Sequence, residues 1–188
     1  MLKRVLAYAH ELLQLSVVPG ETVIDGTCGN GNDTIFLSKI VGEDGRVLAF
    51  DIQQQAVEST TNRMHAEAIT NVDVFQEDHQ YIEKYITPAL EGKIGGAIFN
   101  LGYLPRSEKT IITKPDSTIK AVDRIAASLK TCGIIVLVVY YGHPGGELEK
   151  EAILEHLHEY DQKHFNVLRY QFVNQKNNPP FVLAIEKK

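Results

Sequence analysis

Asn100 closes a strand-like apolar run, Ala-Ile-Phe-Asn from position 97, and Tyr103 follows in the order Asn-Leu-Gly-Tyr. An amide oxygen at a strand end can accept the N–H bonds of an amine and aim its lone pair. A flat ring close by can stack on a base. Such groups orient a nucleophile but do not activate it, so an electrophile has to be held beside them. The segment Val-Ile-Asp-Gly-Thr-Cys-Gly-Asn-Gly-Asn-Asp-Thr, residues 23–34, can hold one. Its Gly26, Gly29 and Gly31 allow close backbone approach and positive φ. Asn32, Asp33 or Thr34 can cap a helix that follows. Asp51 comes twenty residues after Gly31, at the end of the next strand-like run. From there a carboxylate accepts hydrogen bonds from ribose hydroxyls.

Two cofactor classes suit a glycine turn followed by such an acid. A dinucleotide site asks for G-x-G-x-x-G/A, but here Gly29-x-Gly31 leads to Thr34. Asp25 and Asp33 would also repel a pyrophosphate. The same carboxylates suit the ammonium and sulfonium of S-adenosylmethionine. The plainer alternative is a tight turn with a helix cap. Asp78 and His79, after the run Val-Phe-Gln-Glu, lie where an adenine amino group would be met. Asn-Leu-Gly-Tyr has the spacing of the Asn-Pro-Pro-Tyr signature of amino-group methyltransferases, with Leu101 and Gly102 in place of the prolines. A sulfonium is already an activated leaving group, so no metal is required.

Further along, Tyr-Tyr-Gly-His-Pro-Gly-Gly brings Tyr140, Tyr141 and His143 to another strand end. The rings can pack a nucleobase, and His143, with an ordinary pKa near 6.5, can accept the proton lost from an alkylammonium. The loop Asn-Gln-Lys-Asn-Asn-Pro-Pro supplies Asn174, Gln175, Asn177 and Asn178 as readers of base edges. Arg106, Lys109, Lys114, Lys120 and Arg124 are the best local set for phosphate contact. Both groups also read plainly as a solvated loop or face. His156 and His158 diverge on a helix and read as surface. His10, on the first helix, reads as packed or exposed rather than as closing over a cofactor.

These residues need a scaffold that gathers strand ends. Strand patterns occur in ETVIDG, RVLAFD, NVDVFQ, GGAIFN, GIIVLVVY, FNVLRYQFV and PFVLAIEK. Helical patterns lie at about 32–40, 53–66, 117–130 and 147–162, and a first helix places Leu2, Val5, Leu6, Ala9, Leu12, Leu13 and Ser16 on one face. The alternation predicts a mostly parallel sheet of seven strands with helices on both faces. No helix separates the last two strands, so the final strand runs antiparallel.

The chain has 188 residues, enough for one domain with a sizeable core. Its net charge of −5 argues against a broad, non-specific nucleic-acid surface. Cys28 and Cys132 are too few for a disulfide framework and point to a reducing cytoplasm. No apolar run is long enough to span a bilayer, and the polar residues His10, Glu11 and Gln14 make the N-terminal stretch a helix rather than a signal peptide.

Taken together, IDGTCGNGNDTIFL, FDIQ, DHQ, FNLGYLPRSEK, VVYYGHPGG and NQKNNPPF resemble the small bacterial methyltransferases labelled rRNA methylases. That family includes the enzyme acting on the 5-aminomethyl group of wobble 2-thiouridine in tRNA. The resemblance runs over nearly the whole chain. It implies a Rossmann-like class I methyltransferase fold over residues 1–188, S-adenosylmethionine as donor, a tRNA anticodon stem-loop as acceptor, and no membrane, with a homodimer left open. Carried over by residue, Asp25, Gly29, Asn30, Asn32, Asp33 and Thr34 would hold the methionyl end. Asp51 and Gln53 would hold the ribose, Asp78 and His79 would approach the adenine, and Asn100 and Tyr103 would face the acceptor. Gly26 and Cys28 stand where the family pattern has Ala and a variable residue, and neither is expected to alter function. Asn32 stands where His is frequent. The rivals are methylation of another RNA, DNA or protein amine, a nicotinamide-dependent oxidoreductase, and a non-catalytic cofactor-binding partner.

Overall fold

A computed structural model describes residues 1–102 and 113–188. The chain runs α1 (Val5–Ser16), β1 (Thr22–Asp25), α2 (Asn32–Val41), β2 (Arg46–Asp51), α3 (Gln54–Ala66), β3 (Val72–Gln76), β4 (Ile94–Leu101), α4 (Pro115–Ser128), β5 (Leu129–Val139), α5 (Gly146–His158), β6 (Phe165–Tyr170) and β7 (Phe181–Lys187). The strands form one sheet in the order β3-β2-β1-β4-β5-β7-β6. β1 to β5 pair in parallel, and β7 lies antiparallel between β5 and β6.

Alternation along the central strands sends side chains to two cores. Ala97, Phe99 and Leu101 of β4, with Ile135, Leu137 and Val139 of β5, pack on α4 and α5. Ile98, Val136 and Val138 face the other way, toward α1 and α2. Both faces are covered, which is why β4 and β5 read as unbroken apolar runs. The apolar stripe of α1 is narrower than its sequence predicts. Val5, Ala9 and Leu13 are buried, but Leu2 and Leu6 are 76% and 42% exposed.

Several boundaries move for local reasons. α4 begins at Pro115, whose missing N–H costs nothing at a first helical position. β5 starts at Leu129 rather than Gly133. It carries an irregularity at Cys132, where φ is +61°, so pairing with β4 jumps from Leu129 to Ile134. α5 ends at His158, and Asp161 closes the turn beyond it by accepting the Lys163 N–H at 2.9 Å. A short 3-10 helix at His79–Lys84 follows β3, and its sequence shows no helical period.

Parallel pairing puts the carboxyl ends of β1 to β5 on one edge, and β6, parallel to β5, adds its own. Successive connections reverse direction between β1 and β4. An open sheet of this kind binds ligands at that switch point.

Candidate active site

The turn after β1 is shaped by its two ends. Asp25 is fully buried and accepts the Thr34 hydroxyl at 2.6 Å and the Thr27 N–H at 3.2 Å. Thr34 is equally buried. The two therefore brace strand against helix, both fully buried. The residues the turn does present are Thr27, Gly29, Asn30, Asn32 and Asp33. Gly29 and Gly31 take φ of +51° and +77°, and a Cβ on Gly31 would crowd Thr60 Oγ1 at 3.1 Å.

α3 steadies the turn from behind, a role that its sequence pattern does not announce. The Thr60 hydroxyl donates to the Gly29 carbonyl at 3.1 Å. Arg63 Nη1 donates to the Asn30 carbonyl at 2.6 Å and to Asn32 Oδ1 at 2.7 Å. Asn32 thus has a partner within the protein. Only the three-residue spacing of Thr60 and Arg63 could have signalled that they share a helix face.

Asp51 sits half-buried at the end of β2 and accepts the Gly29 N–H at 3.0 Å and the Gln53 N–H at 2.9 Å. Each carboxylate oxygen keeps acceptor capacity beyond those bonds. Ile52 beside it is 46% exposed and offers an apolar edge where the sequence reading had none. Asp78 and His79 follow β3 after one intervening residue. Asp78 caps the 3-10 helix, accepting from both the backbone and the side-chain nitrogen of Gln80 at 2.9 Å. His79 is only 7% exposed. Its Nδ1 lies 3.2 Å from the Gly26 carbonyl, and its ring meets Phe99 edge-on at 5.5 Å. Burial lowers its pKa, keeping the imidazole neutral. His79 is a prop beneath the turn rather than a residue on the open edge.

β4 brings Asn100 to the switch point. Its N–H donates to Thr27 Oγ1 at 2.7 Å, stitching β4 to the turn, and its side-chain Nδ2 donates to Asp33 Oδ2. The other Asp33 oxygen meets His10 Nε2 at 2.6 Å. Tyr103 lies outside the described residues, as do Arg106 and Lys109. Gly102 and Thr113 are joined by two hydrogen bonds: the Gly102 N–H donates to Thr113 Oγ1 at 3.1 Å, and the Thr113 N–H donates to the Gly102 carbonyl at 3.2 Å. The Thr113 hydroxyl in turn donates to buried Glu149 at 2.7 Å.

The loop after β5 does come to the same place. The Tyr140 N–H donates to the Leu101 carbonyl at 3.0 Å. A Cβ on Gly102 would lie 3.3 Å from the Tyr140 side chain and 3.5 Å from His143 Nε2. A Cβ on Gly142 would touch the Asn178 side chain at 3.7 Å, so the loop between β6 and β7 reaches this edge too. The basic stripe is less available than the sequence implies. Lys120 pairs with Glu83 at 3.6 Å, and Arg124 with Glu91. His156 lies 2.7 Å from Asp123 on the surface.

The electrostatics of this edge are acidic. Burial, then the neighbouring Asp33 carboxylate, push Asp25 up to about 8. Burial likewise raises Asp51. A cationic ligand relieves that repulsion and an anionic one adds to it. The donor set therefore fits S-adenosylmethionine: Asp33 for a positive centre, Asp51 for hydroxyls, the glycine backbone for close approach and Ile52 for a purine face.

Residues 47–186 match the model of the family described as "Putative rRNA methylase". The chain belongs to this family. Residues 3–84 also match the model of protein-L-isoaspartate(D-aspartate) O-methyltransferases. Two crystal structures align over 100% of both chains. One is a "putative rRNA-methylase" from Clostridium thermocellum, 43% identical with a TM-score of 0.96. The other is a "putative methyltransferase" from Streptococcus mutans in complex with SAH, 42% identical with a TM-score of 0.91. The chloroplastic tRNA (mnm(5)s(2)U34)-methyltransferase of Arabidopsis thaliana is 38% identical over 160 residues, 80% of this chain. The chain spans 58% of that plant protein's length. The fold is thus the Rossmann-like class I methyltransferase fold that the family's motifs imply.

Proposed function

We propose that this chain is an S-adenosylmethionine-dependent N-methyltransferase that converts the 5-aminomethyl group of wobble 2-thiouridine in tRNA to 5-methylaminomethyl. The carrying observation is Asn100. Its amide stands at the sheet's switch point with its NH2 engaged by Asp33, beside a turn whose exposed charge is negative. The name of the plant relative supports the acceptor.

When bound, S-adenosylmethionine supplies a methyl carbon on a positive sulfur that departs as a neutral thioether. The chain has to hold and aim the amine. With Nδ2 turned to Asp33, Asn100 Oδ1 is left to accept an amine N–H and point the nitrogen lone pair at the methyl carbon. The N–C bond forms as the C–S bond breaks, and the resulting alkylammonium loses one proton. His143, beside Gly102, would accept it. Tyr140, exposed at the same edge, would pack the base.

The test is nucleoside mass spectrometry of tRNA from cells with and without the protein, alongside methyl transfer by the purified enzyme to tRNA bearing or lacking the aminomethyl group. Loss of 5-methylaminomethyl-2-thiouridine with accumulation of the 5-aminomethyl form is expected. Equal transfer to tRNA lacking the aminomethyl group would assign the enzyme to another amine.

A further inference from the structure

His10 belongs to no motif, yet it stands at the head of a continuous chain of contacts that ends at Asn100. Its Nε2 is 2.6 Å from Asp33 Oδ1, and its ring lies flat on Phe36, with centroids 4.0 Å apart and planes 9° apart. Asp33 Oδ2 receives Nδ2 of Asn100. An ionised carboxylate only accepts, so each partner must present an N–H to it. Asn100 is thereby set with its amide nitrogen on Asp33, which turns its oxygen away from that carboxylate. α1 itself is anchored. Val5, Ala9 and Leu13 are buried against the sheet, Tyr8 stacks on Tyr170 at 4.1 Å, and the Tyr170 hydroxyl donates to the Lys3 carbonyl at 2.8 Å.

We infer that His10 is a positioning residue for the reacting amine: by holding Asp33 it locks the Asn100 amide with its carbonyl oxygen toward the acceptor. This rests on the N-methyltransferase reading above. An amide released from Asp33 turns its NH2 toward the acceptor as readily as its oxygen, and a donor cannot orient a lone pair. The N-terminal helix, which carries no glycine motif and no strand end, is then part of the machinery that aims the nucleophile.

The test compares His10→Ala with His10→Gln, whose amide nitrogen reaches the position of Nε2 and can donate to Asp33. Two readouts are taken. In the protein alone, the side-chain 15N–1H resonances of Asn100, assigned by their loss in Asn100→Ala, should move in His10→Ala and return in His10→Gln. In methyl transfer, His10→Ala should lose kcat on the order of 10-fold, with KM for S-adenosylmethionine and for tRNA held within about twofold, and His10→Gln should recover most of it. Unmoved resonances with unchanged kcat would overturn the inference. So would a raised KM for S-adenosylmethionine at intact kcat, which would assign His10 to the cofactor pocket instead. If the wild-type enzyme methylates no amine, the functional reading fails, while the resonance comparison still decides whether His10 sets the amide.

Discussion

Gly26→Ala adds a single methyl group at the floor of the cofactor turn, and the structure says where it would go. A Cβ built on Gly26 lies 2.0 Å from Cε1 of Phe99 and 2.4 Å from its Cδ1. Carbon atoms rest at about 3.5–4.0 Å, so the ring would have to retreat by roughly 1.5 Å. It has little room to do so, since Phe99 is fully buried and His79 meets it edge-on at 5.5 Å. Overpacking of this kind costs about 1–3 kcal/mol, and the displaced residue is the direct neighbour of Asn100. Urea unfolding should show the loss, and kcat should fall with it. Phe99→Leu alone should destabilise by about 1–3 kcal/mol through the lost volume. The double variant should be more stable than the sum of the two, with a coupling of about 0.5–3 kcal/mol. Additive effects, or a Gly26→Ala protein within 0.5 kcal/mol of wild type by the usual tolerance of neutral sites, would refute the packing argument. The glycine at this position then has a use: it leaves the space that Phe99 occupies.

Four further outcomes are expected. Asn100→Ala should lower kcat on the order of 10²-fold in a tRNA methylation assay, and a change confined to KM would remove it from the reacting centre. Asp51→Ala should weaken S-adenosylmethionine binding measured by calorimetry, and unchanged affinity would sink its ribose role. Asp25 titrates near 8 in the folded chain against 3.8 otherwise. The folded state therefore holds the extra proton, and this group's contribution to stability is lost as pH rises between those values, by up to about 1.4 kcal/mol per pH unit. Asp25→Asn should flatten that slope in unfolding measurements across the window. Glu149→Ala should cost about 1–3 kcal/mol, because the hydroxyls of Thr113 and Thr118, 2.7 and 3.1 Å from its carboxylate, lose their acceptor. Glu149→Gln should restore most of it in thermal unfolding.

The sheet was legible because its strands obey simple patterns. Unbroken apolar runs marked β4 and β5, and the helix-free link before β7 marked the reversal. Gly29, Gly31, Asp51 and Asn100 were legible because they occupy strand ends or turns, where the fold must place them together. Asp25, Thr34 and His79 lie deeper than their types suggest, because residue type reports chemistry but not depth. His10, Thr60 and Arg63 act across gaps of more than twenty residues. No local period encodes such pairings; they exist only after the helices dock. The 3-10 helix at His79–Lys84 is set by an Asp78 cap rather than by hydrophobic spacing, so there was no period to find.

The paired hydrogen bonds between Gly102 and Thr113 make the chain leave and re-enter the sheet edge at one point, and Glu149 rivets that point to α5. The Thr113 hydroxyl is thus the one atom through which the end of β4 and the α5 carboxylate hold each other, so a change at either is felt at the other.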